Sequence, residues 1–272
     1  MVDHQNSNPS DLYEPMIARL HEAAQPYAAC VVPILGRGRR TQYASKGSGV
    51  LLGSDRPQFL IGAAHVLEES RKGGVLRMAL GSRIVTLAGR FAATEAHRPG
   101  ALDVGVCVFS ESSLPFSEVG WISPGEIQSG SAPLSSDLHV AIGFPHTKQA
   151  SHLVNGVLEL DAMIHWGRTV NAITTLGYDP STQLLVEFDK NDIIGPRGVT
   201  VSADPYGASG GGVWSTARAV DETAGPWKLA GIAIEWRKGR EKALLATRVQ
   251  HALQVISMEC TSVAPALSPF VG

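Results

Sequence analysis

The chain has 272 residues, 44% of them hydrophobic, enough to bury a sizeable core in one large all-β or α/β unit or in two small lobes. Lys and Arg total 23 against 25 Asp and Glu, a formal net charge of −2, so no electrostatic signal points to nucleic acid or an anionic membrane as a partner. Three widely spaced cysteines, Cys30, Cys107 and Cys260, offer neither a disulfide framework nor a metal-binding spacing and fit a reducing compartment.

Along the chain, MVDHQNSNPSDLYEP lacks the basic start and apolar stretch of a secretory signal, and no later run approaches a membrane span, so the sequence predicts a cytoplasmic protein. Residues 1–26 read as a polar tail and a short helix. Pro15 suits a helix start, Met16, Ile17, Leu20 and Ala24 follow at helical spacing, and Pro26 marks the end. From there the pattern turns to short β-rich runs punctuated by Gly, Pro, Ser and Asp: YAACVVPIL, GSGVLLG, FLIGAAHV, RIVTLAGRF, DVGVCVF, LHVAIGF, QLLVEF, GGVW, LAGIAIEW and ALLATRV. In DVGVCVF the valines Val104, Val106 and Val108 alternate with Asp103, Gly105 and Cys107, the period of a strand with one apolar face. Helical patterns are nearly absent between these runs, which argues against βαβ units and for an all-β body. ESSLPFSEVG and SPGEIQSGSAPLSSD interrupt the strand pattern near residues 110–135 and predict a linker between two β lobes, 27–120 and 121–258. Val249, Ala252, Leu253 and Ile256 predict an amphipathic helix closing the second lobe, with residues 259–272 left as a tail.

The stretch YGASGGGVW sets Ser209 among glycines. A serine hydroxyl attacks only when a base takes its proton, and the charge its attack creates is met best by backbone N–H groups, which glycine-rich turns can aim closely. Ser209 therefore calls for a histidine and a carboxylate elsewhere. His65 follows the apolar run FLIGAA, and Asp103 opens a buried strand after the turn residues RPGAL. Taken singly, each has a plain structural reading, a satisfied histidine and a strand-start turn residue.

Four segments in this order, GSGV with GAAHV, ALDVGV, GASGGGV and LAGIAIEW, resemble a trypsin-like serine peptidase with the chymotrypsin fold, of the intracellular prokaryotic type. The resemblance runs over about residues 28–257 and implies two six-stranded β-barrels with a substrate cleft between them. It further implies a serine endopeptidase without cofactor or metal: His65 as general base and acid, Asp103 as its orienting carboxylate, Ser209 as nucleophile, and the N–H groups of Gly207 and Ser209 as the oxyanion hole. Ala203, Asp204, Tyr206, Ile234, Glu235 and Trp236 would border the substrate. The partners expected are a protein or peptide substrate and an activating or regulatory protein. The chain departs from the family at Gly62 and Val66, where relatives often carry threonine and a disulfide-forming cysteine, at Ile234, where relatives often have serine, and at Trp236, where many have glycine. Ala208 replaces the aspartate that captures a new amino terminus in many secreted relatives, which removes that route of activation.

Two other readings stand beside this one. A trypsin fold that binds peptides without cutting them would share every motif. GASGG also fits the nucleophile elbow of α/β-hydrolases, with Ser209, Glu235 and His251 in that fold's chain order, although three glycines suit the helix that must follow an elbow poorly.

Overall fold

The computed structural model describes residues 9–37, 43–53, 57–72, 74–81, 83–96, 101–109, 119–129, 138–146, 153–154, 157–158, 162–189, 193–195, 198–200, 204–216, 226–238 and 242–271. A long helix α1 (Pro9–Ala28) leads into β1 (Val31–Arg37), β2 (Tyr43–Leu52) and β3 (Phe59–Ala63), and a short helix α2 (Ala64–Arg71) follows directly. Next come β4 (Arg77–Leu80), β5 (Arg83–Thr86), β6 (Gly89–Ala93) and β7 (Val104–Phe109). These strands form one antiparallel sheet of seven in the order β5-β4-β1-β2-β3-β7-β6. The second half holds β8 (Leu138–Gly143), β9 (Leu153–Val154), β10 (Val157–Leu158), β11 (Met163–Arg168), β12 (Gln183–Glu187), β13 (Ile193–Gly195) and β14 (Gly198–Thr200). It is completed by β15 (Gly212–Thr216), β16 (Lys228–Arg237), β17 (Ala243–Arg248) and the helices α3 (Val249–Glu259) and α4 (Ala264–Leu267). Its main sheet has six strands, β11-β8-β15-β16-β17-β12, while β9 with β10 and β13 with β14 make separate two-stranded pairs. Two curled antiparallel sheets with helices only at their margins are the all-β, two-barrel architecture of the chymotrypsin type. The first sheet carries seven strands rather than the six expected, because RIVTLAGRF divides into β5 and β6 around Leu87 and the short run RMAL supplies β4.

β7 is buried on both faces, not one. Val104, Val106 and Cys107 are wholly inaccessible because β7 lies between β3 and β6, with α2 packed over Gly105 through Leu67. α1 extends beyond the predicted span at both ends and runs through Pro26, and its last turn is docked by Tyr27. That ring stacks on Trp227 at 4.6 Å and meets Trp214 at 5.9 Å, and its hydroxyl accepts the Trp227 N–H at 2.9 Å. The helix thus covers the second sheet.

Several contacts join the halves. Residues 119–129 form bridges to both, Ile122 with Leu52 of β2 and Ile127 with Leu229 of β16. Beyond α3, whose Val249, Ala252, Leu253 and Ile256 are buried as the periodicity predicts, the chain turns back through α4. Phe270 then packs edge-on against Phe59 of β3 at 5.0 Å, so residues read as a tail help close the first sheet. A further contact is the site itself.

Candidate active site

His65 is the second residue of α2 rather than the end of a strand, because β3 stops at Ala63. Asp103 makes that change of direction possible. Its backbone carbonyl accepts the Ala64 N–H at 2.9 Å, and its carboxylate Oδ1 accepts the His65 N–H at 3.0 Å, so two orphan amides of the helix start are satisfied by one residue. The other carboxylate oxygen, Oδ2, lies 2.6 Å from His65 Nδ1. An ionised carboxylate can only accept, so Nδ1 carries a proton, and in the neutral ring this tautomer leaves the lone pair on Nε2. The ring is part exposed and the carboxylate nearly buried, with side-chain exposures of 28% and 13%.

Asp103 reaches both targets from a left-handed backbone, φ 48°, which is costly for a residue with a side chain. Both its neighbours are tied down. The Thr247 hydroxyl of β17 donates to the Leu102 carbonyl, and Thr94 takes the Val104 N–H at 3.0 Å while its own hydroxyl donates to the Val104 carbonyl at 3.1 Å. Gln183 Nε2 adds a bond to the Ala101 carbonyl at 3.4 Å, so the second sheet helps hold the carboxylate of the first.

Ser209 sits in the turn that feeds β15. The turn is stitched to the first sheet: the Ser48 N–H of β2 donates to the Ser209 carbonyl at 2.7 Å, and the Ser48 hydroxyl donates to the Gly207 carbonyl at 3.4 Å while accepting the Phe144 N–H at 2.8 Å. Gly210, at φ 89°, lets the backbones touch, since a Cβ there would lie 2.0 Å from the Ser48 carbonyl oxygen and 3.1 Å from the nitrogen of Ala63. The serine loop is therefore pressed against the residues that precede His65. The Ser209 hydroxyl donates to the Ile234 carbonyl at 3.3 Å. That carbonyl is available because β16 bulges there: Ala233 pairs with Ala246 and Glu235 with Leu245, leaving Ile234 out of the ladder.

Two further features of the loop matter. The His146 N–H donates to the Tyr206 carbonyl at 2.7 Å, and because C=O and N–H oppose each other across a trans peptide, the Gly207 N–H points away from His146. Gly207 itself, at φ 94°, has no room for a side chain, since a Cβ would lie 2.7 Å from the His146 nitrogen. Among the described residues the N–H groups of Gly207 and Ser209 have no protein acceptor. Ala208 holds its place by burial: 3% exposed, it packs in the second-sheet core with Ala141, Val213 and Ala230, where an aspartate would need an ionic partner.

The residues expected along the substrate are dispersed in role. Ala203 lies outside the described residues. Asp204 accepts the Tyr206 N–H at 3.1 Å and faces Lys238 at 3.8 Å, so its charge is partly engaged. Tyr206 is 73% exposed and meets the His146 ring edge-on at 6.1 Å. Ile234 is buried, Glu235 is exposed and faces Arg237 at 3.9 Å, and Trp236 packs near Phe188 at 6.0 Å under the Lys238 ammonium at 4.8 Å. His251 lies on α3, the serine turn enters a strand rather than a helix, and the strand pairings of both main sheets are antiparallel, which removes the α/β-hydrolase reading. Sequence reasoning missed Ser48, Thr94, Gln183 and Thr247. Only Ser48 left a signal, as the serine between glycines in GSGV.

No family model matches the chain, and no curated protein matches it. Among solved structures it is similar to Rv3671c from M. tuberculosis, a serine-to-alanine mutant in an inactive form, with 12% identity over 97% of this chain and 99% of that one and a TM-score of 0.47. It is also similar to a serine endoprotease from Yersinia pestis, with 18% identity over 91% of this chain and a TM-score of 0.49. The chain spans 66% of that protein's length. No helix among the described residues is long and apolar enough to cross a membrane.

Proposed function

We propose that the chain is a serine endopeptidase working through an acyl-enzyme on Ser209. The observation that carries this reading is the double grip of Asp103 on His65, through the backbone N–H at 3.0 Å and Nδ1 at 2.6 Å, beside a serine loop tied to the same sheet. In this account His65 Nε2 takes the hydroxyl proton as Ser209 attacks a peptide carbonyl, the N–H groups of Gly207 and Ser209 receive the oxyanion, and Nε2 then gives the proton to the leaving amine. Asp103 stays ionised and steadies the imidazolium. A water molecule, activated in its turn by His65, releases the acyl group.

The substrate is a peptide or protein laid between lobes 27–120 and 121–258, bordered by Asp204, Tyr206, Ile234, Glu235 and Trp236. The free cysteines suit a reducing, cytoplasmic setting, and a restraining or activating partner fits an enzyme in which Ala208 replaces the acid of zymogen activation.

A second reading, a peptide-binding module without turnover, draws on the Ser209 hydroxyl being turned to the Ile234 carbonyl at 3.3 Å. A fluorophosphonate probe separates the two at neutral pH. Covalent labelling mapped to Ser209 supports the peptidase, and a folded protein that stays unlabelled supports the binding module.

A further inference from the structure

Away from Ser209, a cavity of about 240 Å³ opens in the second half of the molecule, lined by Thr169, Asn171, Thr174, Pro180, Gln183 and Arg248 among others. Arg248 is 7% exposed, at the point where β17 becomes α3. Its Nε donates to the Pro180 carbonyl at 2.8 Å, which fixes the plane of the guanidinium, and among the described residues it makes no ion pair. The nearest acid in sequence to that carbonyl, Asp179, turns instead to Ser181, accepting its N–H at 2.8 Å and its hydroxyl at 2.7 Å. A buried guanidinium carries five N–H donors and cannot discharge itself, so a cavity wall that leaves most of them without an acid is short of one anion.

We propose that this cavity binds a small carboxylate or phosphate ligand on Arg248 and that the bound anion acts on the His65–Asp103 pair. Asn171 and Thr174 on the same wall offer the neutral polar groups an oxyanion needs beside one cation, while Gln183 and Thr169 are already engaged with the Ala101 carbonyl and His139. The connection to the pair is short. Arg248 adjoins Thr247, which holds the Leu102 carbonyl, and Gln183, paired with Thr247 across β12 and β17, holds the Ala101 carbonyl. Both bonds fix the two residues before Asp103. The binding half of the proposal stands without the peptidase reading; only the consequence for turnover rests on it.

The test is calorimetric titration of the full chain with inorganic phosphate and, separately, with acetate, each against sodium chloride of equal ionic strength. Saturable binding of either is expected, and the stronger of the two identifies the source. Arg248→Gln, with an unchanged circular-dichroism spectrum, should weaken it by roughly tenfold or more. Should Arg248→Gln fail to fold, Thr174→Phe decides, because Thr174 is exposed and the ring fills the cavity while Arg248 stays. The same titration followed by proton NMR should move the low-field His65 Nδ1–H resonance. Absent saturation over chloride, binding unaltered in folded Arg248→Gln or in Thr174→Phe, overturns the site; binding that leaves the His65 resonance still overturns the coupling, and fluorophosphonate labelling of Ser209 reports independently on the peptidase.

Discussion

The hydroxyl of Thr247, in the second sheet, donates to the carbonyl of Leu102, the residue before Asp103 in the first. The carboxylate that orients His65 is thus held partly by a strand that contributes nothing else to it. Thr247→Val keeps the shape and leaves a partly buried carbonyl without its donor, a loss of about 1 kcal/mol. Urea unfolding should show that loss, and peptide hydrolysis should fall in kcat with KM nearly unchanged, since the substrate's own contacts are untouched. A change confined to KM would contradict this role.

Asp103→Asn separates charge from geometry. Asparagine tolerates the left-handed backbone better than most residues, so the fold should persist. Its amide no longer forces the proton onto Nδ1, and turnover should drop on the order of ten-thousandfold, the cost of the wrong histidine tautomer in a Ser-His-Asp triad. The low-field Nδ1–H resonance should vanish with it. An active variant would remove Asp103 from the mechanism.

Acid should destabilise the protein through a histidine far from Ser209. His139 is wholly buried, with Nε2 2.8 Å from the Thr169 hydroxyl, and burial pushes its pKa from 6.5 down to about 4. Burial lowers His165 too, against the opposing bond from its ring to the Glu187 carbonyl at 2.9 Å. Because the folded state holds the neutral ring, the unfolded chain binds more protons between those pH values. Stability is then full above pH 6.5 and declines as pH falls toward about 4, by roughly 3 kcal/mol for His139. Urea midpoints across that range should show the decline, and His139→Leu should flatten it. An unchanged slope in that variant would place the effect elsewhere.

Thiol chemistry should distinguish the cysteines. Burial pushes Cys30 and Cys107 up to about 12, with the Glu126 charge adding to the effect on Cys30, whereas Cys260 is half-buried near the end of α3. Iodoacetamide should modify Cys260 alone in the native protein and all three in urea. Equal native rates at Cys30 or Cys107 would mean that the core opens far more readily than its packing implies.

Much of this was legible in the chain. The alternation and punctuation of the β runs gave the fold class, and the order His65, Asp103, Ser209 marked the candidate site, because glycine-rich turns and apolar strand ends leave local marks. What stayed hidden depends on contacts between distant segments. MIHWGR did not read as a strand because its inward positions are Met163, His165 and Gly167, so a polar ring stands where an apolar residue marks the pattern. α2 was hidden because its start relies on the Asp103 carboxylate rather than on a capping residue of its own. Nothing local marks Arg248 as buried, because its burial depends on the distant residues Pro180 and Gln183 beside it.

The most direct measurement is hydrolysis of a mixed peptide library by the wild type and by Ser209→Ala, reading rate and cleavage position together. Loss of the nucleophile costs on the order of a million-fold in kcat, far beyond any contaminating activity. The account predicts cleavage at defined positions by the wild type and none by the variant. Equal cleavage by both, or none by a folded wild type that also refuses the fluorophosphonate, would contradict it.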